Sequence, residues 1–126
     1  MAILASVFVA LAALLHVYIF LMESAWWTRP KVWQRFGLAS QADAETTKSL
    51  AYNQGFYNLF LAVGAALGLI LYYTGPQQAG FALILFSTAS MFLAAIVLTT
   101  TGPGKLRAAL TQGTLPLIGF VLFLFA

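Results

Sequence analysis

Four long apolar runs divide this sequence, and they limit its fold more than any other feature. The runs cover residues 2–22, 50–73, 79–100 and 108–126. Since an α-helix rises about 1.5 Å per residue, about 20 residues cross the ~30 Å hydrocarbon layer of a bilayer. Glycine and proline end the second and third runs, at Gly75-Pro76 and at Gly102-Pro103-Gly104. The sequence therefore predicts an all-α integral membrane four-helix bundle, with residues 1–126 forming a single four-span domain.

The composition excludes several classes of protein. Hydrophobic residues make up 62% of the chain and charged residues 7%, whereas soluble domains carry about 25% charged residues. The chain has no cysteine, which excludes disulfides, thiolate metal sites and iron–sulfur clusters within it. One histidine and few carboxylates supply too few metal ligands, so no metal site is predicted. The small charge of +3 is confined to two loops, so the expected partner is a lipid bilayer and no nucleic acid.

The positions of the basic residues predict an orientation. Between the first two runs lie Arg29, Lys31, Arg35 and Lys48, and between the last two lie Lys105 and Arg107. The Gly75 turn and both termini carry no Lys or Arg. By the positive-inside rule, both basic loops are cytoplasmic and both the N-terminus and the C-terminus lie outside. The first run lacks a basic leader, so we interpret it as a retained helix and not a cleaved signal.

The first loop is the longest, and its sequence predicts two local structures. Pro30 favours the start of a short helix, which would lie at the membrane interface and end at Gly37. Its apolar and polar residues fall on opposite sides, with Val32, Trp33 and Phe36 on one and Lys31, Gln34 and Arg35 on the other. A disordered loop is the alternative. Ser40 is the expected N-cap of the next long helix, with Asp43 in its first turn, so that helix begins in water.

Polar residues of all four helices concentrate at the cytoplasmic depth, while the outer half is almost purely apolar. On the first helix, Glu23 follows His16 by seven residues, so at about 100° per residue the two share a face. The second helix carries polar residues in its first turns, and the fourth begins with Thr111 and Gln112. This convergence predicts a ligand-binding site formed by His16, Glu23, Asn53, Gln54, Tyr57, Asn58 and Gln112.

Each polar residue also has a simpler interpretation. In this interpretation, Glu23 reaches the lipid headgroups and pairs with Arg29 or Lys31. His16 is then a neutral imidazole hydrogen-bonded to a neighbouring helix, and the amides only hold helices together. The first of these interpretations leads us to expect Glu23 at the surface. The binding hypothesis instead expects it beside the first turns of the second helix, close to Asn53, Gln54 or Asn58.

Three segments carry a resemblance to a known family: Leu21 to Trp27, Tyr52 to Asn58, and Gln112 to Pro116. Over nearly its full length the chain resembles a bacterial family of small four-span membrane proteins grouped as a domain of unknown function. The resemblance implies a four-helix fold in a bacterial inner (cytoplasmic) membrane. It suggests kinship with DoxX-like membrane proteins by fold-level analogy alone. It brings no catalytic residue to any position of this sequence.

Three functions from different classes fit these features. The first is binding of a small lipophilic or amphipathic molecule in the cytoplasmic leaflet, with acid/base chemistry by Glu23 and His16 if the protein is an enzyme. The second is proton-coupled transport, because small multidrug transporters also use four helices and a glutamate on the first. The third is a structural subunit of a larger membrane complex. The sequence leaves catalysis, cofactor and oligomeric state open.

Overall fold

The computed structural model describes residues 1–126 and contains only helices. Their bounds are α1 (Ala2–Phe20), which continues into a π-helical turn (Leu21–Ala25), α2 (Pro30–Arg35), α3 (Gln41–Thr74), α4 (Gln77–Leu98) and α5 (Leu106–Leu124). Four of these segments are long and apolar enough to cross a membrane: α1 with its π turn, α3, α4 and α5. The predicted all-α four-span fold is confirmed.

The four long helices form a ring. Helix α1 packs on α3, α3 on α4, α4 on α5, and α5 returns to α1, while α1 and α4 meet only slightly across the middle. All six Lys and Arg residues lie at one end of this ring, in or beside the loops that join α1 to α3 and α4 to α5. We call this the basic end. The other end, which holds both termini and the Gly75-Pro76 turn, is called the terminal end.

Small residues let the helices approach closely. Ala5, Ala12 and Ala65 belong to the buried core between the helices. Near the terminal end, α3 and α4 touch through their backbones. A Cβ added to Gly68 would lie 2.8 Å from the Ile84 side chain and 3.0 Å from a backbone carbonyl of α4. Membrane helices associate through such small-residue contacts because lipid leaves little hydrophobic force between them. The contact fixes the spacing of α3 and α4 at this end.

The predicted short helix in the first loop is present as α2. Its apolar side packs on the start of α3, where Trp27, Trp33 and two alanines form a second hydrophobic cluster. Trp33 Nε1 donates a hydrogen bond to Gln41 Oε1 at 2.8 Å, and Trp27 Nε1 donates to Thr47 Oγ1 at 3.1 Å. Lys31 and the other polar residues of α2 are exposed. The alternative interpretation, a disordered loop, is wrong because aromatic packing and these bonds order the segment.

Helix α3 is longer than a bilayer is thick. Ser40 caps it as predicted, because its Oγ accepts a hydrogen bond from the Asp43 N–H at 3.1 Å. At about 1.5 Å per residue, its 34 residues extend about 50 Å, against ~30 Å for a hydrocarbon layer. The excess at the basic end is the part that supports α2. The first loop is thereby held against the end of the bundle.

Candidate functional site

The π turn places Glu23 inside the bundle. Here the backbone hydrogen bonds slip to the wider π spacing, as in the bond from the Trp26 N–H to the Leu21 carbonyl at 2.9 Å. Single π turns within α-helices are frequent at functional sites. Glu23 is only 3% exposed as a result. The carboxylate therefore lies between helices and does not reach the lipid headgroups.

A glycine on α3 makes room for this turn. A Cβ at Gly55 would lie 3.1 Å from Glu23 Cβ and 3.1 Å from the Phe20 carbonyl oxygen, and it would overlap Ser24 Oγ. Ser24 Oγ instead donates a hydrogen bond to the Tyr52 carbonyl at 2.8 Å. The missing side chain at Gly55 thus allows α1 and α3 to meet at the depth of the carboxylate.

The expected contact between Glu23 and α3 is present. Asn58 Nδ2 donates a hydrogen bond to Glu23 Oε1 at 2.6 Å, and it also contacts the Gln54 carbonyl at 3.3 Å. The partner of the carboxylate is thus a neutral amide and not a basic side chain. The interpretation that Glu23 pairs with Arg29 is wrong, because the Arg29 guanidinium lies over the Trp26 ring, 5.3 Å from its centroid. The second carboxylate oxygen, Oε2, has no hydrogen-bond partner in the protein.

A cavity of about 600 Å³ lies beside Glu23 at the basic end, between α3, α4 and α5. We call it the first cavity. Five of the seven predicted site residues line it, namely Glu23, Gln54, Tyr57, Asn58 and Gln112. Apolar side chains contribute to its wall as well, namely Leu61, Ala94, Val97 and Leu98. The structure therefore brings together most of the predicted polar residues, around a space lined by both polar and apolar side chains.

The other two predicted residues lie elsewhere. His16 is buried, at 2% exposure, but it does not line the first cavity. Its Nδ1 donates a hydrogen bond to the Ala12 carbonyl at 2.8 Å, so the partner belongs to the same helix and not to a neighbour. Asn53 is exposed on α3 and also lies outside the first cavity. The two residues therefore share the depth of the site without facing it.

A second cavity of about 590 Å³ adjoins the first and lies between α1, α2 and α5. The two cavities share five lining residues: Arg35, Phe36, Gly104, Ala108 and Gln112. The wall of the second cavity is apolar along α1, where Leu15, Ile19 and Met22 line it. Gln112 thus lies on the boundary between two spaces and can offer its amide to either.

Two basic residues at this site were not predicted to be part of it. Arg35 and Lys105 both line the first cavity. Arg35 Nη1 donates to the Tyr18 hydroxyl at 2.8 Å, and Lys105 Nζ donates to the Phe36 carbonyl at 3.2 Å. In the sequence these residues count only as signals of orientation. Both basic loops must lie at the same end of a four-helix ring. This requirement could have indicated from the sequence that Arg35 and Lys105 lie close to the site.

The arrangement defines what the site can do chemically. Glu23 is the only acidic side chain that lines either cavity, and Oε2 is free to accept a hydrogen bond or a proton from a ligand. Gln54, Gln112 and Tyr57 add neutral donors and acceptors around the same space. The site can therefore fix the polar end of a molecule whose body contacts the apolar wall.

The family of the chain follows from a comparison with known proteins. No curated protein and no solved structure matches it. One family model, described as "Protein of unknown function (DUF1304)", matches residues 10–124, which include most of α1 and all of the other helices. This match confirms the predicted resemblance to a family of unknown function, whereas the suggested kinship with DoxX-like proteins stays a prediction. The chain therefore belongs to the family described as Protein of unknown function (DUF1304).

Proposed function

We propose that this protein binds a small lipophilic or amphipathic molecule in the first cavity, with the basic end on the cytoplasmic side of the membrane. One observation carries the proposal: a buried carboxylate, Glu23, has one oxygen bonded to Asn58 and the other without a protein partner, beside a space of about 600 Å³. No side-chain oxygen of the protein is both fully buried and without a hydrogen-bond partner, so Oε2 is accessible from the cavity that Glu23 lines. A ligand in this cavity that carries a donor can therefore bind Oε2 directly.

The size and polarity of the first cavity support this proposal. Small-molecule sites have volumes of about 300–1,000 Å³, with mostly apolar walls and a few converging polar groups. Glu23, Asn58 and Gln112 supply the polar groups, and Leu61 and Val97 contribute to the apolar wall. Such a lining suits an amphiphile with a small hydrogen-bonding head and a hydrocarbon or ring body.

The wall between α3 and α4 supports entry from the bilayer. Tyr57 is 62% exposed and Val97 is 60% exposed, although both line the first cavity. Their side chains therefore face both the cavity and the outside of the bundle. A lipophilic guest dissolved in the leaflet would reach Glu23 by passing between these two residues, without crossing the aqueous phase.

The geometry favours binding over two-residue acid/base catalysis. Such chemistry by Glu23 and His16 requires both groups to reach one substrate. His16 does not line the first cavity, and its Nδ1 is bonded within α1. In this proposal Glu23 acts alone, as a hydrogen-bond acceptor for the head of the guest, and Asn58 fixes its orientation.

Mass spectrometry of the purified protein tests the proposal. The wild-type protein and two variants, Asn58→Leu and Asn53→Leu, are purified in the same mild detergent, and their bound small molecules are extracted and quantified. Asn53→Leu is the matched control, since it makes the same change on the same helix at an exposed position outside the cavity. We expect one guest per wild-type and Asn53→Leu protein, and at least about tenfold less in Asn58→Leu, the effect of losing ~1.4 kcal/mol of binding free energy.

Two results would contradict the proposal. One is a wild-type protein with no hydrophobic molecule above the level of bulk lipid. The other is an equal amount of guest in Asn58→Leu and Asn53→Leu, which would place the guest away from Glu23.

A further inference from the structure

We infer that the guest carries an anionic head, a phosphate or a carboxylate, which is held by Arg35, Lys105 and Arg107 where the two cavities adjoin. This inference rests on the proposed function, because it names the chemical class of the molecule bound there. Arg35 lines both cavities, Lys105 lines the first and Arg107 lines the second. Arg35 thus lies where the cavities adjoin, and Lys105 and Arg107 lie on either side of it, between Gly104 and Ala108, which line both spaces.

The charges of these residues are not compensated within the protein. Arg35 donates to the phenolic oxygen of Tyr18, and Lys105 donates to the backbone carbonyl of Phe36. Both acceptors are neutral, so they position the cations without cancelling their charge. Glu23 is the one acid that lines the first cavity, and its hydrogen bond goes to Asn58. No acidic residue lines the second cavity. Three positive charges thus face one negative charge across the two spaces.

The three cations come from two parts of the chain, the end of α2 and the start of α5. Arg35 ends α2, Lys105 immediately precedes α5, and Arg107 lies in the first turn of α5. The bond from Lys105 to Phe36 joins the two basic loops directly. Membrane orientation requires basic residues only on one side of the bilayer, at any position in the loops. It does not account for three of them around a pair of cavities, two of them fixed by hydrogen bonds.

The remaining wall matches the rest of such a molecule. Leu61 and Val97 of the first cavity, with Ile19 and Met22 of the second, give apolar surface deeper in the bundle. An anionic head at the cations places an acyl chain along these residues. Glu23 then accepts a hydrogen bond from a hydroxyl or a similar donor near the head. A phosphate or carboxylate suits the cations because charge-assisted hydrogen bonds are about twice as strong as neutral ones.

A binding comparison with defined lipids tests this inference. The full-length protein, stripped of lipid in dodecyl maltoside, is titrated with dioleoyl phosphatidic acid, oleate or dioleoylglycerol, and complexes are counted by native mass spectrometry. The first two probes separate phosphate from carboxylate, and dioleoylglycerol has the apolar body of the phosphatidic acid without its charge. We expect at least one anionic probe to bind about tenfold more tightly than dioleoylglycerol.

Variants that remove one positive charge test which residues cause the preference for an anionic probe. Lys105→Gln and Arg107→Gln are each expected to weaken the preferred anionic probe about five- to tenfold and to leave dioleoylglycerol unchanged. Arg107→Gln is the safer of the two for folding, because the Arg107 side chain makes no hydrogen bond within the protein, whereas Lys105 donates to Phe36. Lys48→Gln is the matched control, since Lys48 is exposed at the same end and lines neither cavity.

The outcomes separate this inference from the proposed function. Equal binding of anionic probes and dioleoylglycerol overturns the anionic head and leaves the cavity as a lipophilic site. The inference is also overturned if Lys48→Gln weakens binding of the anionic probe as much as Lys105→Gln does. The weaker binding would then come from the general electrostatic potential of the basic end. If no probe binds at all, the anionic head is overturned, and the proposed function is decided separately by the extraction experiment.

Discussion

Replacing Asn58 with leucine removes the only hydrogen-bond donor that the protein offers to the buried Glu23 carboxylate. Asn58 lines the first cavity, so the larger side chain has space and should not force the helices apart. The variant therefore probes the bond itself. Asn53→Leu makes the same change five residues earlier on α3, at an exposed position, and serves as the matched control.

The size of the effect follows from the geometry of the bond. Hydrogen bonds to charged groups contribute about 1.5–3 kcal/mol in soluble proteins, whereas those between membrane helices average about 0.6 and reach about 1.7 kcal/mol. The 2.6 Å separation and the 3% exposure of Glu23 place this bond near the upper end of the membrane range. We therefore expect Asn58→Leu to lower the free energy of unfolding by about 1–2 kcal/mol, and Asn53→Leu by less than about 0.5 kcal/mol.

A double-mutant cycle with Glu23→Leu isolates the interaction, because leucine has no oxygen to accept the hydrogen bond from Asn58. Reversible unfolding in mixed micelles is followed by tryptophan fluorescence, because all three tryptophans lie at the basic end. We expect a coupling energy between positions 23 and 58 of about 1 kcal/mol, since the two side chains are in direct contact. Zero coupling, or equal destabilisation by Asn58→Leu and Asn53→Leu, would refute the reasoning that this bond joins α1 to α3.

Three further predictions follow from other parts of the chain. Gly55→Ala should lower the free energy of unfolding by about 1–3 kcal/mol in the same unfolding assay, because the new methyl group overlaps Ser24 Oγ. Adding Ser24→Ala to this variant should restore part of the lost stability. Ser40→Ala should cost about 1 kcal/mol and increase amide hydrogen exchange in the first turn of α3, including Asp43, whose N–H loses its acceptor. A reporter enzyme fused after Ala126 should be active only outside the cytoplasm, since all the basic residues are at the opposite end of the bundle, and activity inside would reverse the proposed orientation.

Much of the fold could be predicted because it depends on local chemistry. Hydropathy and the Gly-Pro pairs give the four spans, and Ser40 gives the start of α3 before its apolar part begins. The approach of Glu23 to α3 was also predictable, since consecutive helices usually pack as neighbours and the two polar residues lie at the same depth. These features depend on periodicity, caps and loop length, which the sequence contains directly.

The inward face of each helix could not be predicted in the same way. Asn53 and Asn58 are both amides in the first membrane turns of α3, yet only Asn58 faces Glu23. The choice depends on the rotation of α3 about its axis, which is set by the close contact at Gly55. The π turn has no sequence signature, because it is a change of backbone hydrogen bonding with the same residue types. It alters the angle between His16 and Glu23 that regular helical spacing predicts.

The backbone contact between α3 and α4 at Gly68 has a consequence for the shape of a guest. The two helices are in contact there, and the first cavity lies between them nearer the basic end, so the contact closes the space toward the terminal end. Asn58 is ten residues from Gly68, or about 15 Å along the helix. A guest whose head lies at Asn58 therefore has at most about 15 Å of apolar length between the two helices. A longer molecule must leave the bundle sideways, into the lipid.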